Sequence, residues 1–200
     1  MIGILDYGVG NLASIANMLD YLDIPYIFVK KKLDFDKVSK LILPGVGSFD
    51  YAMKKLHEID FVYSIKLFAL QKKIIIGICL GMQLLGSKSE EGIESGLNLI
   101  DFEVKSLLNY TDLNVPHMGW SNVDKSEIYF KNLPIDKFYF VHSYFVPESI
   151  DPSNYETILT CNYGFKFSAG IKKDNIYGFQ FHPEKSHKFG MNLFKYIEKL

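Results

Sequence analysis

Two hundred residues, 48% of them hydrophobic, suffice for one folded unit with a substantial core, and a net charge of -1 argues against a basic nucleic-acid binder or an anionic-membrane ligand. All 22 basic residues are lysine, so a charged ligand must be held by backbone amides or ammonium groups, without a guanidinium fork. The two cysteines, Cys79 and Cys161, are too few for a disulfide framework and suit a reducing, cytoplasmic setting.

In chain order, Ile2–Leu5 predicts a short strand; Asp6 then interrupts the apolar run too early for a signal peptide. Asn11–Leu22 predicts a helix with Leu12, Ile15, Ala16, Leu19 and Leu22 on one face. Strands follow at Tyr26–Val29 and Leu41–Leu43, helices near Phe49–Leu56 and Phe61–Lys72, and a buried strand in Lys73–Ile76. From about Leu97 the pattern turns to strands: Asp101–Leu107, Phe138–His142, Thr157–Asn162, Lys166–Ile171 and Ile176–Phe181. Lys188–Leu200 closes the chain as an amphipathic helix. No stretch approaches the roughly 18 apolar residues of a membrane span. With no repeat or linker, residues 1–200 read as one α/β domain: a central, mostly parallel sheet flanked by helices, plus an antiparallel annex.

Gly77-Ile78-Cys79-Leu80-Gly81 lies where a strand hands over to a helix, which is the layout of a nucleophile elbow. The glycines let the chain bend without a Cβ clash, and the thiol stands beside a helix N-terminus that favours a thiolate. A cysteine nucleophile needs a base, and the base needs an acceptor to orient it. Gln180-Phe181-His182-Pro183-Glu184 supplies both at a strand end. Pro183 biases His182 toward an extended form, and alternation then puts His182 and Glu184 on one side. Pro44-Gly45-Val46-Gly47-Ser48 follows another strand and can turn backbone amides toward a developing oxyanion. Cys79, His182 and Glu184 lack the close spacing of metal ligands, so no metal site is expected.

Gly77–Gln83 and Gln180–Glu184 resemble the signatures of the class I, triad-type glutamine amidotransferases. Asp6–Leu12, Pro44–Gly47 with Ala52-Met53, Pro116–Trp120, Phe140–Tyr144 and Lys185-Ser186 narrow the resemblance to the glutaminase subunits of imidazole glycerol phosphate synthases, from about residue 2 to residue 198. The resemblance implies hydrolysis of glutamine to glutamate and ammonia through a γ-glutamyl thioester, without a cofactor. It gives Cys79, His182 and Glu184 as the triad, and the N–H groups of Leu80 and of the Val46-Gly47 peptide as the oxyanion hole. Gln83, Ser143 and Tyr144 would contact glutamine. It also implies a heterodimer with a (β/α)₈-barrel synthase subunit, approached through Asn11, the Pro116–Trp120 loop with Trp120, Tyr139 and Lys185. Ser121 stands where the family most often has asparagine, and Ser87–Gly96 is short of aromatics.

Two other readings remain open at this point. A paralogous glutaminase could pass ammonia to a sugar amidotransferase in surface-polysaccharide synthesis. A non-catalytic cysteine-elbow protein of redox or chaperone type could share the layout, although it needs neither the His-Pro-Glu segment nor an oxyanion loop.

Overall fold

The computed structural model describes residues Met1–Leu200. The first half alternates as expected: β1 (Ile2–Leu5), α1 (Leu12–Tyr21), β2 (Tyr26–Val29), β3 (Lys40–Leu43), α2 (Phe49–Glu58), α3 (Val62–Leu70), β4 (Ile74–Ile78) and a short α4 (Leu80–Leu84). Asn11 is the cap of α1, its side chain accepting the Ser14 N–H at 3.3 Å, so the helix proper begins one residue later. There follow β5 (Lys88–Ser89), β6 (Glu103–Ser106), β7 (His117–Lys125), α5 (Glu127–Phe130), β8 (Lys137–His142), β9 (Tyr144–Phe145), β10 (Glu156–Asn162), β11 (Lys166–Lys173), β12 (Ile176–Phe179) and α6 (His187–Lys199).

One nine-stranded sheet runs β2-β1-β3-β4-β12-β11-β10-β7-β8. The run from β2 to β12 is parallel, and every later pairing is antiparallel. The antiparallel annex therefore continues the same hydrogen-bonded sheet. A smaller sheet, β5-β6-β9, packs beside it.

Alternation along the parallel strands sorts the core into two layers. Ile42, Ile76 and Ile78 face one cluster with Ile15 and Leu19 of α1 and Phe189 and Leu193 of α6. Leu41, Leu43 and Ile75 face the other, with Phe49 and Met53 of α2 and Ile65 and Phe68 of α3. Successive side chains point to opposite faces, so a sheet covered on both sides needs uninterrupted apolar runs, as Leu41–Leu43 and Ile74–Ile78 provide.

The Pro116–Trp120 stretch, expected as a loop, is instead the entry to β7, the longest strand. Met118 and Trp120 lie on its exposed face, while His117 and Val123 turn inward. Its Gly119, Asn122 and Asp124 are residues that strands usually avoid, which hid the strand in the sequence.

Candidate active site

β3, β4 and β12 are neighbours, and their carboxyl ends converge on Cys79. Cys79 itself takes φ +54° and ψ -112°, a conformation that L side chains rarely adopt. Its N–H donates to Phe179 O at 2.7 Å, and its carbonyl accepts the Met82 and Gln83 N–H groups at 3.0 and 3.3 Å. The next strand and α4 thus hold both peptide groups of the bent residue. Cys79 itself carries the positive φ, and the flanking glycines let the chain bend without a Cβ clash, as expected. A Cβ on Gly81 would stand 1.8 Å from Leu43 O, and one on Gly77 2.6 Å from Gly81 O.

His182 arrives on a segment fixed at three successive residues. The Gln180 N–H donates to Ala169 O at 2.9 Å, the Phe181 ring stacks on Phe138 at 3.7 Å, and the His182 N–H donates to Tyr139 O at 2.9 Å. His182 is extended, as Pro183 requires, but Pro183–Lys185 then curls into a 3₁₀ turn. The turn, not strand alternation, brings Glu184 round to accept from His182 Nδ1 at 2.7 Å, with both side chains 2% exposed. Nε2 is left buried with no partner at hydrogen-bonding geometry. Burial alone would depress this imidazole, but the nearby Cys79 and the hydrogen bond and charge of Glu184 outweigh it and push it up to about 10.

A cavity of about 320 Å³ opens over these groups. Cys79 and His182 line it together with Gly47 and Leu80 on one side and Gln83, Ser143 and Tyr144 on another, so every expected catalytic, oxyanion and substrate residue but Glu184 borders it. Glu184 sits behind His182. Gln83 is held rigidly, donating to Tyr144 O at 3.0 Å and to Gln180 Oε1 at 3.1 Å. Gly47 adopts φ +95° with open space around it, which suits a loop whose backbone faces the cavity.

Two cavity residues were missed by the sequence reading. Glu91 lines the cavity, its Oε2 accepting the Phe49 N–H at the start of α2 at 2.9 Å; burial, with a smaller push from Asp50, raises its carboxyl above the ordinary range. His142 also lines it, hydrogen-bonded to His117. Glu91 lies in the aperiodic Ser87–Gly96 stretch, where only the tertiary bonds to α2 reveal its place.

Of the residues expected at a partner surface, three come together. Trp120, 43% exposed, meets the Tyr139 ring edge-on at 6.3 Å, and Lys185 Nζ lies 6.0 Å from the Tyr139 ring centre. Asn11 is engaged locally as the α1 cap.

The family model "Glutamine amidotransferase class-I" matches residues 3–196. Imidazole glycerol phosphate synthase subunit HisH 2 of Pseudomonas aeruginosa is 44% identical, with 100% of both chains covered. Subunit HisH of Leptospira borgpetersenii is likewise 44% identical over 100% of each, and HisH 2 of Methanococcus maripaludis is 42% identical over 96% of each. Among solved structures, a crystal structure described as glutamine amidotransferase superposes with a TM-score of 0.76 at 17% identity, covering 99% of this chain and 97% of that one. The glutaminase domain of Trypanosoma brucei CTPS, with bound acivicin, gives a TM-score of 0.66 at 12% identity over 99% and 93%. These two likenesses bear on the fold; the matched family model and the full-length identities reach further, and by them this chain belongs to the class I glutamine amidotransferases, among the imidazole glycerol phosphate synthase subunits HisH.

Proposed function

We propose that this chain is the glutaminase subunit of imidazole glycerol phosphate synthase, with Cys79, His182 and Glu184 as its triad. The chemistry is hydrolysis of glutamine to glutamate and ammonia. The observation that carries the residue assignment is His182, oriented through Nδ1 by Glu184 while its unpartnered Nε2 is buried at the Cys79 cavity. A non-catalytic elbow protein has no use for that arrangement. The HisH names of the relatives above favour the histidine pathway over surface-polysaccharide synthesis as the destination of the ammonia.

Each step follows from the geometry. Cys79 gives its thiol proton to His182 Nε2 as Sγ attacks the γ-carbonyl carbon of glutamine, and negative charge collects on the carbonyl oxygen. The N–H groups of Leu80 and of the Val46-Gly47 peptide receive it; one lost donor of this kind typically costs roughly 2.7–4 kcal/mol in the barrier. His182 delivers its proton to the departing nitrogen, the C–N bond breaks, and ammonia leaves a γ-glutamyl thioester on Cys79. The neutral ring then takes a proton from water, whose oxygen attacks the thioester, and glutamate departs as the thiol is restored. Glu184 keeps Nδ1 protonated throughout, so Nε2 alone exchanges protons.

Gln83, Ser143 and Tyr144 frame the substrate, and Glu91 is the carboxylate placed to receive its α-ammonium group. Ammonia passes to the (β/α)₈-barrel subunit, which makes imidazole glycerol phosphate and AICAR. Trp120, Tyr139 and Lys185 form the docking face, extended by the 62%-exposed Met118 on the same side of β7. Asn11 belongs to that face as an α1-cap residue. We take residues 1–200 as one glutamine amidotransferase domain, working in the cytoplasm with both cysteines reduced; no helix is long and apolar enough to cross a membrane.

Glutamate release from glutamine by this chain with its co-expressed barrel subunit tests the reading, with Cys79→Ala as the blank. Turnover lost in the blank and strongly stimulated by the barrel's own ligand is the expected result. Cys79-independent turnover would overturn the triad, and indifference to the barrel ligand would overturn the pathway.

A further inference from the structure

β7 and β8 pair in a register that sets His117 directly opposite His142, and both rings are buried. His117 Nδ1 lies 3.1 Å from His142 Nε2, His117 Nε2 2.8 Å from Ser121 Oγ, and His142 Nδ1 2.8 Å from Tyr144 O. The proton positions follow by elimination. A carbonyl only accepts, so His142 Nδ1 must donate to Tyr144 O. In the neutral ring Nε2 is then an acceptor, His117 Nδ1 must donate to it, and the Ser121 hydroxyl must donate to His117 Nε2.

Four residues along a strand span roughly 13 Å, too far for His117 and Ser121 to meet on a straight one. Gly119 between them has φ +130°, a backbone conformation that L side chains rarely adopt, and across it the two side chains meet at 2.8 Å. His117 is also fixed by its faces, stacked between Phe140 at 4.7 Å and Tyr163 at 4.0 Å.

Tyr144 O is where this chain of bonds meets the catalytic one. It accepts from His142 on one side and from Gln83 Nε2 on the other; Gln83 also donates to Gln180, whose amide lies 3.9 Å from Cys79 Sγ. Every ring nitrogen of the two histidines is matched, which is the condition under which a buried polar network fixes a single conformation.

We propose that His117 and His142 are positioning residues for glutamine: a neutral, tautomer-locked pair that holds the Ser143–Tyr144 wall and Gln83 against the substrate and exchanges no proton in the reaction. The role rests on the reading that this cavity takes glutamine. Burial keeps both imidazoles low, His117 to about 4, and His142 to about 3 with added repulsion from His117 and His182.

The first arm of the test needs no substrate. Nitrogen-15 histidine spectra of the full chain at pH 7 should show both rings neutral and protonated at Nδ1; a charged ring, or an Nε2–H tautomer at either, would overturn the pair. The second arm is kinetic, in the complex with the barrel subunit. His117→Phe preserves the stacking and strands His142 Nε2, and should raise the glutamine KM roughly tenfold with kcat within about twofold. His117→Asn, which returns a donor near the Nδ1 position, should recover most of the loss. Ser121→Ala gives a smaller rise in KM and serves if His117→Phe fails to fold. An unchanged KM in these variants, with wild-type turnover intact, overturns the positioning role alone. A wild-type complex that releases no glutamate overturns the glutaminase reading, and the role with it.

Discussion

The Tyr139 carbonyl accepts the His182 N–H at 2.9 Å, so the strand that carries a proposed docking-face residue also holds the backbone of the proposed base. The Ser186 hydroxyl closes the loop: it accepts the Tyr139 N–H at 3.0 Å and donates to His182 O at 2.6 Å. Ser186→Ala removes that clamp without touching the cavity. The expected result is a fall in kcat of roughly threefold to tenfold with little change in KM, the scale of one or two buried hydrogen bonds. Steady-state kinetics of the complex checks it, and a change confined to KM would mean that Ser186 does not set the position of His182.

Two glycines near Cys79 should fail in different ways. Gly81→Ala forces a Cβ to 1.8 Å from Leu43 O, between packed backbones that cannot yield cheaply. A destabilisation of about 3 kcal/mol or more is expected, read as a large drop in the unfolding midpoint. Gly47→Ala meets no atom within 4 Å but must adopt φ +95°. It should fold, at a cost of about 1–3 kcal/mol in local strain, and lose kcat by displacing the proposed oxyanion loop. Equal thermal stability for the two variants would contradict the packing argument.

The motifs made Cys79, His182 and Glu184 legible because each is fixed by local chain chemistry: a strand end, a tight turn, a proline. What the sequence hid depends on distant partners. Glu91 is placed by α2, through Phe49 N–H on its own carboxylate and through Asp50, which accepts the Ile93 and Glu94 N–H groups at 3.0–3.1 Å. β7 was obscured by its glycine and polar residues, although its pairing with β8 continues over six register positions. The relation of His182 to Glu184 was anticipated for a different reason from the one observed, since a 3₁₀ turn replaces the extended segment.

Glu91 gives a prediction about substrate affinity. If it binds the α-ammonium group, Glu91→Gln should raise the glutamine KM about 10- to 100-fold, the range for a hydrogen bond to a charged partner. Its carboxyl is raised by burial, so the binding-competent anion is lost at higher pH than for an ordinary glutamate. The wild-type KM should therefore worsen on mild acidification, and Glu91→Gln should be flatter over the same interval. Parallel KM–pH curves would remove Glu91 from substrate recognition.

The His182 imidazolium has a consequence for stability. Its pKa is raised to about 10 in the folded protein, against roughly 6.5 for an unperturbed histidine. The protonated form is favoured by folding, so its contribution is full below about pH 6.5 and disappears as pH rises toward 10. Urea unfolding of wild type and His182→Asn at several pH values isolates it, because the lysines and tyrosines that titrate nearby are common to both. The stability advantage of wild type should shrink steadily from pH 6 to pH 10; an advantage that grows with pH would mean the ring is held neutral.

The proposed docking face rests on Trp120, and the structure shows why a tryptophan can stand half-exposed there. Its ring stacks on His187 at 5.6 Å with a 9° interplanar angle, and Lys137 Nζ lies 5.7 Å from its centre, so it is held in place while 43% exposed. Such a fixed aromatic anchor loses little side-chain freedom on association, which is how interface hot spots gain their weight. Trp120→Ala should weaken binding of the barrel subunit by roughly 30-fold, about 2 kcal/mol, while leaving the unfolding midpoint of the isolated chain nearly unchanged. Met118→Lys, on the same face of β7, should add to the loss. Titration calorimetry with the purified barrel subunit measures both variants. Wild-type affinity in Trp120→Ala would put the docking surface on another part of the molecule and leave the exposed Met118–Trp120 pair to be explained by something other than this partner.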